Sequence, residues 1–241
     1  MIAGSPERNR AAQELFAPLA ETYDRYARLL SFGRDPRWRE FLVSRVEARP
    51  VHAVLDVATG TAAVAVELAR RYGCTVVGVD QSGEMLAEGH RRVAAAGLSE
   101  SIDLHEARAE ELPFADASFD GLSFTYLLRY VEDAGATMRE LARVTRPGGR
   151  IVMLEFFRPP AALPRLGWEL YVRAGLPAAG RLISPGWAEV GRFLGPSIRD
   201  FWARTPPNRL RKLWHEAGIE DVQGRLLSLG GGIVVWGTRG D

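Results

Sequence analysis

Along the first fifty positions, apolar residues recur at steps of three and four, the spacing of one helix face. Ala12, Leu15, Phe16, Leu19, Tyr23, Tyr26 and Leu30 form one such stripe. It predicts a single helix, with Ser5 as cap and Pro6 in the first turn. Ser31-Phe32-Gly33 breaks it, and Asp35-Pro36 opens a second helix with Trp38, Phe41, Leu42 and Val46 inward. The period then changes. Residues 52–57 are apolar on both faces, as a buried strand is. Helical spacing returns over 62–71, with Val64, Ala65, Leu68 and Ala69 on one face. Thr75–Asp80 reads as a second buried strand, and Ser82-Gly83-Glu84 opens a helix carrying Met85, Leu86 and Val93 that Gly97 ends. Further strands are predicted at Ile102–Glu106, Phe119–Thr125 and 150–156. A loop over 107–114, a helix at Ala134–Val144 and a turn at Arg146-Pro147-Gly148-Gly149 separate them. This alternation predicts an α/β fold built on a doubly wound, mostly parallel sheet, Rossmann-like in type.

The rhythm stops at Pro159. Residues 159–207 are rich in Leu, Trp, Pro and Arg, with helices expected near 163–174 and 187–194. This segment reads as a helical cap inserted before a helix at 207–217 and two closing strands at 222–228 and 231–237, which bring the sheet to seven. The expected organisation is one domain over 1–241: an N-terminal helical cap to 50, a cofactor-binding core over 51–158, the cap insertion over 159–208, and the closing elements.

The first strand runs into Asp56-Val57-Ala58-Thr59-Gly60-Thr61-Ala62. Strand, small-residue turn and helix form the opening unit of a nucleotide-binding fold, with the ligand at the strand's carboxyl end. A dinucleotide fold uses three glycines there, so that backbone can approach a pyrophosphate. Here the positions hold Ala58, Gly60 and Ala62, and two added methyl groups crowd the phosphate's place. S-adenosylmethionine carries no phosphate and fits better. Asp56 can accept hydrogen bonds from the turn or from an ammonium group. Asp80, ending the second strand, can take the hydroxyls of a ribose.

Composition narrows the picture little. Of 241 residues, 46% are hydrophobic and 25% charged, as in ordinary globular enzymes. A net charge of +1 argues against a general affinity for nucleic acid. Lys212 is the only lysine among 31 basic residues. Cys74 is the only cysteine, which excludes an intrachain disulfide and suits a reducing compartment, so the cytoplasm is expected. No Cys/His cluster has metal-ligand spacing. No signal-peptide core stands out, and no apolar run reaches the roughly 18 residues that span a bilayer.

Several blocks together resemble a known family, the class I S-adenosylmethionine-dependent methyltransferases, and within them the ubiquinone/menaquinone biosynthesis C-methyltransferases. The blocks are Tyr23-Asp24, Leu29-Leu30-Ser31-Phe32-Gly33, Arg37-Trp38-Arg39, the turn itself, Ala109-Glu110-Glu111-Leu112-Pro113-Phe114, Ser118-Phe119-Asp120, Leu128-Arg129-Tyr130-Val131, 143–150, Leu154-Glu155-Phe156 and 229–234. The resemblance implies S-adenosylmethionine as cofactor. Its contacts carry over to Thr61, Asp80, Arg108, Ala109 and Thr125, joined by Asp56, Ala58, Gly60 and Gln81. Arg129 and Tyr23 fall on catalytic positions, and Tyr26, Tyr126 and Tyr130 are expected in the acceptor pocket. Arginine is a poor base, so Arg129 is expected to orient a water and hold a phenolate. Arg129→Leu is expected to keep the fold and cofactor affinity and lose turnover.

The chain departs from the family at five places. Arg108 stands for Asp or Asn, Tyr130 and Ala27 for asparagines, Leu127 for a glycine, and Gly237 for a histidine. These leave room for a paralogue with another small apolar or aromatic acceptor. Two rivals are a nicotinamide-dependent oxidoreductase, disfavoured by Ala58 and Ala62, and a metabolite-binding protein without chemistry. None of His52, His90, His105 and His215 falls at the expected site. The cap's Leu, Trp and Arg content suggests an apolar acceptor taken from the inner face of a membrane. A homodimer is left open.

Overall fold

The structure, a computed structural model, describes residues 5–241 and the side chains from Asn9 onward. The predicted first helix is three pieces: α1 (Ser5–Phe16), a 3-10 turn (Ala17–Thr22) and α2 (Tyr23–Leu30). The break falls at Pro18, which cannot donate the backbone hydrogen bond an α-helix would need there. The proposed cap at Ser5 lies outside the described side chains. Gly33, at φ +69°, turns the chain into α3 (Arg34–Val46).

Then follow β1 (Ala53–Val57), α4 (Ala63–Tyr72), β2 (Thr75–Asp80), α5 (Gly83–Ala95), β3 (Ile102–Glu106), β4 (Phe119–Thr125), α6 (Ala134–Val144) and β5 (Thr145–Phe156). The Ser82 hydroxyl caps α5 by accepting from the Met85 amide. The expected turn at 146–149 lies inside β5. There the register against β4 jumps from Phe119–Thr145 to Gly121–Arg150, so the turn residues bulge out of a continuous strand.

The cap comprises α7 (Ala162–Leu170), a π-helical turn (Tyr171–Gly175), α8 (Leu176–Ile183) and α9 (Pro185–Arg204). At 20 residues, α9 far exceeds the predicted 187–194 and carries Pro196 inside it. Glycines seat its neighbours: a Cβ at Gly191 would lie 2.7 Å from the Leu176 carbonyl, and one at Gly180 only 2.2 Å from that of Trp187. α10 (Pro207–Glu216), β6 (Ile219–Leu227), a 3-10 turn (Ser228–Gly230) and β7 (Gly232–Arg239) close the chain.

The sheet order is β3-β2-β1-β4-β5-β7-β6, with β1 to β5 parallel and β7 antiparallel to both neighbours. This is the expected doubly wound, mostly parallel seven-stranded fold. One apolar cluster joins α3, α4 and α5 to one face through Leu42, Leu68 and Leu86. Another joins α6, α9 and α10 to the other through Met138, Phe201 and Trp214. A third, around Leu19, Trp187 and Val190, ties the N-terminal helices to the cap. Strand order reverses between β1 and β4, which makes the carboxyl ends of β1, β2 and β4 the switch point where such sheets take ligands.

Candidate active site

A cavity of about 490 Å³ opens at that switch point, roofed by α1 to α3 and the cap. Its floor is the turn after β1. Ala58, Gly60 and Ala62, the three positions aligned with the dinucleotide glycines, all have left-handed backbone, at φ +55°, +54° and +58°. Alanine costs about 1–2 kcal/mol in that conformation. The turn therefore keeps the glycine-type path with alanine on two of its three corners. A Cβ at Gly60 would meet nothing within 4 Å, so conformation rather than space calls for glycine there.

Asp56 underlies the turn. Its Oδ2 accepts from the Thr59 hydroxyl at 2.7 Å and its Oδ1 from Ser123 at 2.6 Å. Burial pushes its carboxyl up to about 6, against the pull of those two hydrogen bonds. Of the two partners considered for it, the turn and an ammonium group, the structure gives it the turn. Asp80 ends β2 at the cavity wall. It accepts from the Gly60 amide at 2.8 Å and the Ser82 amide at 3.0 Å, and burial raises its carboxyl as well. Two acceptors of its four or so remain for a ligand. Gln81, Ala109 and Thr125 line the same wall. The Arg108 side chain does not. It faces a second hollow beside Asn9, Arg10 and Glu132, and its Nη2 lies 3.5 Å from Oε1 of Glu110, which lines the cavity and whose Oε1 accepts no hydrogen bond among the described residues.

The opposite wall is aromatic and carries Arg129, one of three arginines in the lining with Arg34 and Arg39. Arg129, in the loop after β4, is 3% exposed and lines the cavity. Its guanidinium lies over the rings of Tyr130, Phe156 and Tyr126, at 4.9, 5.3 and 5.9 Å. Arg129 Nε lies 2.9 Å from Oε1 of Glu155, itself 1% exposed on β5. Burial pushes the Glu155 carboxyl up, and the guanidinium opposes it. Neither Arg129 Nη1 nor Glu155 Oε2 has a hydrogen-bond partner among the described residues. Unpaired buried polar atoms cost roughly 1–3 kcal/mol each, so this pair is poised to take a ligand. With Glu155 buried beside it, Arg129→Leu is expected to cost stability as well as turnover, because the change removes the only cation paired with that carboxyl.

The roof supplies a polar mesh. Asp24 accepts from the Thr61 hydroxyl and from Arg92, each at 2.5 Å. Asp35 accepts from the Tyr126 hydroxyl at 2.7 Å and pairs with Arg39 at 2.8 Å. Tyr126 thus gives the cavity its ring alone. Tyr23 and Tyr130 line the cavity, and burial raises both phenols. Tyr26 does not reach it; its ring packs on Trp187 at 5.4 Å. Ala58, Gly60, Thr61, Asp80, Gln81, Ala109, Thr125, Tyr23, Tyr126, Arg129 and Tyr130 are thus brought together, whereas Asp56, Arg108 and Tyr26 stand outside the lining. Sequence reasoning missed Glu155, Asp35 and Arg39 as site residues. A lone acid inside the apolar run 151–156 is the signal that marks Glu155.

With this geometry in view, comparison with known proteins is decisive. Residues 5–239 match the ubiE/COQ5 methyltransferase family. The chain belongs to this family. It is 35% identical to the ubiquinone/menaquinone biosynthesis C-methyltransferase UbiE of Geotalea daltonii, over 97% of this chain and 98% of that one. It is 37% identical to the demethylmenaquinone methyltransferase of Thermus thermophilus, over 93% of this chain and 100% of that one. Among solved structures, geranyl diphosphate C-methyltransferase from Streptomyces coelicolor superposes with a TM-score of 0.59 at 15% identity, covering 85% of this chain and 79% of that one, a likeness of fold alone. As a ubiE/COQ5 methyltransferase, the chain takes S-adenosylmethionine as methyl donor. Of its five departures from the family, Ala27, Leu127 and Tyr130 all line the cavity. Gly237 is different. It sits inside β7, where a Cβ would press on Ile219 Cγ2 at 2.7 Å and the Glu220 carbonyl at 2.8 Å, so no side chain fits there.

Proposed function

We propose that this chain methylates a ring carbon of a quinol precursor of the demethylmenaquinol type, with the whole chain acting as one methyltransferase domain. The observation that carries this reading is the single cavity that joins the Asp80 wall to the Arg129 wall. The names of the UbiE and demethylmenaquinone methyltransferase relatives supply the acceptor class.

The residues present fit the donor. Open space at Gly60, spare acceptors on Asp80 and the buried Oε1 of Glu110, whose only polar contact among the described residues is the 3.5 Å ion pair with Arg108, match a nucleoside with ribose hydroxyls and an adenine amino group. Asp80 holds the ribose, and Gln81 and Ala109 flank the base. Glu110 accepts from the amino group, a task that Arg108, with donors only, cannot perform. S-adenosylmethionine, when bound, supplies a methyl group already activated on a sulfonium. What remains for the protein is alignment and charge. Holding the attacking carbon about 3–3.5 Å from the methyl supplies several kcal/mol of the barrier. The ring carbon becomes nucleophilic when a ring hydroxyl gives up its proton, and Arg129 Nη1 holds the oxyanion by a charge-assisted hydrogen bond. Glu155 fixes the guanidinium for this task. The carbon–methyl bond forms as the sulfur–methyl bond breaks, the ring carbon then gives its own proton to water, and aromaticity returns with the hydroxyl proton, also held by water, restored to the oxygen.

A second reading, another apolar acceptor, is favoured by Ala27, Leu127 and Tyr130 on the cavity wall. Supplying methyl-labelled S-adenosylmethionine with purified demethylmenaquinol, and separately with a membrane lipid extract, distinguishes them. Label in menaquinol supports the first; label only in another compound supports the second; no label in either arm refutes both.

A further inference from the structure

Leu163, Leu166 and Leu170 lie on one face of α7 and are 80%, 68% and 69% exposed. The helix has only nine residues, and no helix among the described residues is long and apolar enough to cross a membrane. Its other face belongs to the site, since Gly167 and Trp168 line the cavity. The leucines are not isolated. At one end of α7, the turn holding Leu229, 80% exposed, packs through Gly230 on Pro159 and Pro160. At the other, the Tyr171 hydroxyl donates to the Leu30 carbonyl, and its ring lies 5.2 Å from that of Phe32. Phe32 is 74% exposed, and both it and Gly231, next to the Leu229 turn, line the cavity. An apolar rim therefore runs from Leu229 across α7 to Phe32 and Leu29, with cavity-lining residues along its length.

Charge points to what covers this rim. The segments that carry it, 28–34 and 158–182, hold six arginines (Arg28, Arg34, Arg158, Arg165, Arg173 and Arg181) against one acid, Glu169. Glu169 is itself engaged by Arg158, Arg173 and Arg199. Exposed apolar residues with a surplus of arginine suit the headgroup region of an anionic bilayer. They do not suit a second copy of the same surface, which would set like charges against each other.

We propose that this rim docks on an anionic lipid surface, so that the cavity opens into the bilayer and a tailed acceptor enters without crossing water. The proposal rests on the quinol reading for what enters, but not for the docking itself. The test compares the wild type with Leu163→Asp/Leu166→Asp/Leu170→Asp, three exposed positions outside the cavity lining. Partition onto phosphatidylglycerol/phosphatidylcholine vesicles is expected to fall at least tenfold in the variant. Wild-type binding should weaken on phosphatidylcholine alone and with added salt. Methylation of a short-tailed demethylmenaquinol in solution should be unchanged, while that of a long-tailed one in vesicles is lost. Equal vesicle binding by both proteins overturns the proposal. So does an absence of wild-type binding, a loss of the soluble reaction in the variant, or a wild-type dimer that the variant breaks while vesicles leave it intact. Should the wild type methylate neither acceptor, the quinol reading fails and the partition measurement still decides the docking surface.

Discussion

At the carboxyl ends of β1 and β2 the acids already have partners: Asp56 accepts from Thr59 and Ser123, and Asp80 from Gly60 and Ser82. At the end of β4, across the same cavity, Arg129 and Glu155 are as deeply buried yet keep Nη1 and Oε2 without partners. In the first region every carboxylate oxygen of the two acids already accepts a hydrogen bond from short side chains or backbone, so the wall is finished in shape and Asp80 keeps only further lone pairs for a ligand. The second stores an unmet demand for hydrogen bonds, which under the proposed function an acceptor oxygen would meet. The family departures Ala27, Leu127 and Tyr130 line the cavity away from the turn, which keeps its path, and the proposed function puts them on the acceptor side. A shared donor demands one geometry; acceptors differ, and the wall facing them is free to change.

The largest effects are expected where the demand is unmet. Arg129→Leu should destabilise the fold by about 3–5 kcal/mol, because Glu155 is left as an unpaired buried charge. Arg129→Leu/Glu155→Leu should recover most of that loss in urea unfolding, since a buried pair can be replaced by apolar residues at little net cost. A double variant as unstable as the single one would place the cost elsewhere than in the orphaned charge.

On the finished wall, Asp56 gives a pH signature. Its folded value of about 6 exceeds the ordinary 3.8, so between the two the folded state binds more protons than the unfolded one. Its contribution is therefore fully present at low pH and is lost as pH rises from about 4 to about 6, by on the order of 3 kcal/mol. Unfolding of wild type and Asp56→Asn at both ends of that window should show the slope in the wild type and its removal in the variant. Parallel curves would contradict it.

Asp80→Ala should weaken S-adenosylmethionine binding by roughly 1.5–3 kcal/mol, the worth of hydrogen bonds to a charged group. Calorimetry with unchanged affinity would take Asp80 out of the site. Smallest is Ala58→Gly. It relieves left-handed strain of about 1–2 kcal/mol and gives back part of it as unfolded-state entropy, for a net gain of up to about 1 kcal/mol. A loss of stability there would mean that the Ala58 methyl packs favourably enough to outweigh its strain.

The strands and the cofactor wall were legible because buried parallel strands are continuous apolar runs and the turn announces itself by small residues in order. The cap was less so. Gly195-Pro196 reads as a helix stop, yet proline's fixed φ suits a helix and α9 runs through at the cost of a hydrogen bond. The break at Pro18 was hidden by a stripe that kept helical spacing across a 3-10 turn. The role of Glu155 was not legible, because a sequence shows an acid in a strand but not the guanidinium that meets it across the fold. The same holds for Asp35, whose partners Arg39 and Tyr126 come from its own helix and from a loop 91 positions away. Tyr26 had the right spacing for the cavity and packs on Trp187 of the cap instead, a contact with no local signature.

The division into a finished cofactor wall and an unsatisfied acceptor wall is tested most directly on Arg129→Leu/Glu155→Leu. S-adenosylmethionine binding by calorimetry and single-turnover methylation of demethylmenaquinol would be measured on the same sample. The account predicts wild-type affinity for the donor together with a methyl-transfer rate lower by about 100-fold or more, the usual cost of losing one donor to a developing oxyanion. Methyl transfer within a few-fold of wild type, or a parallel loss of donor binding, would contradict it.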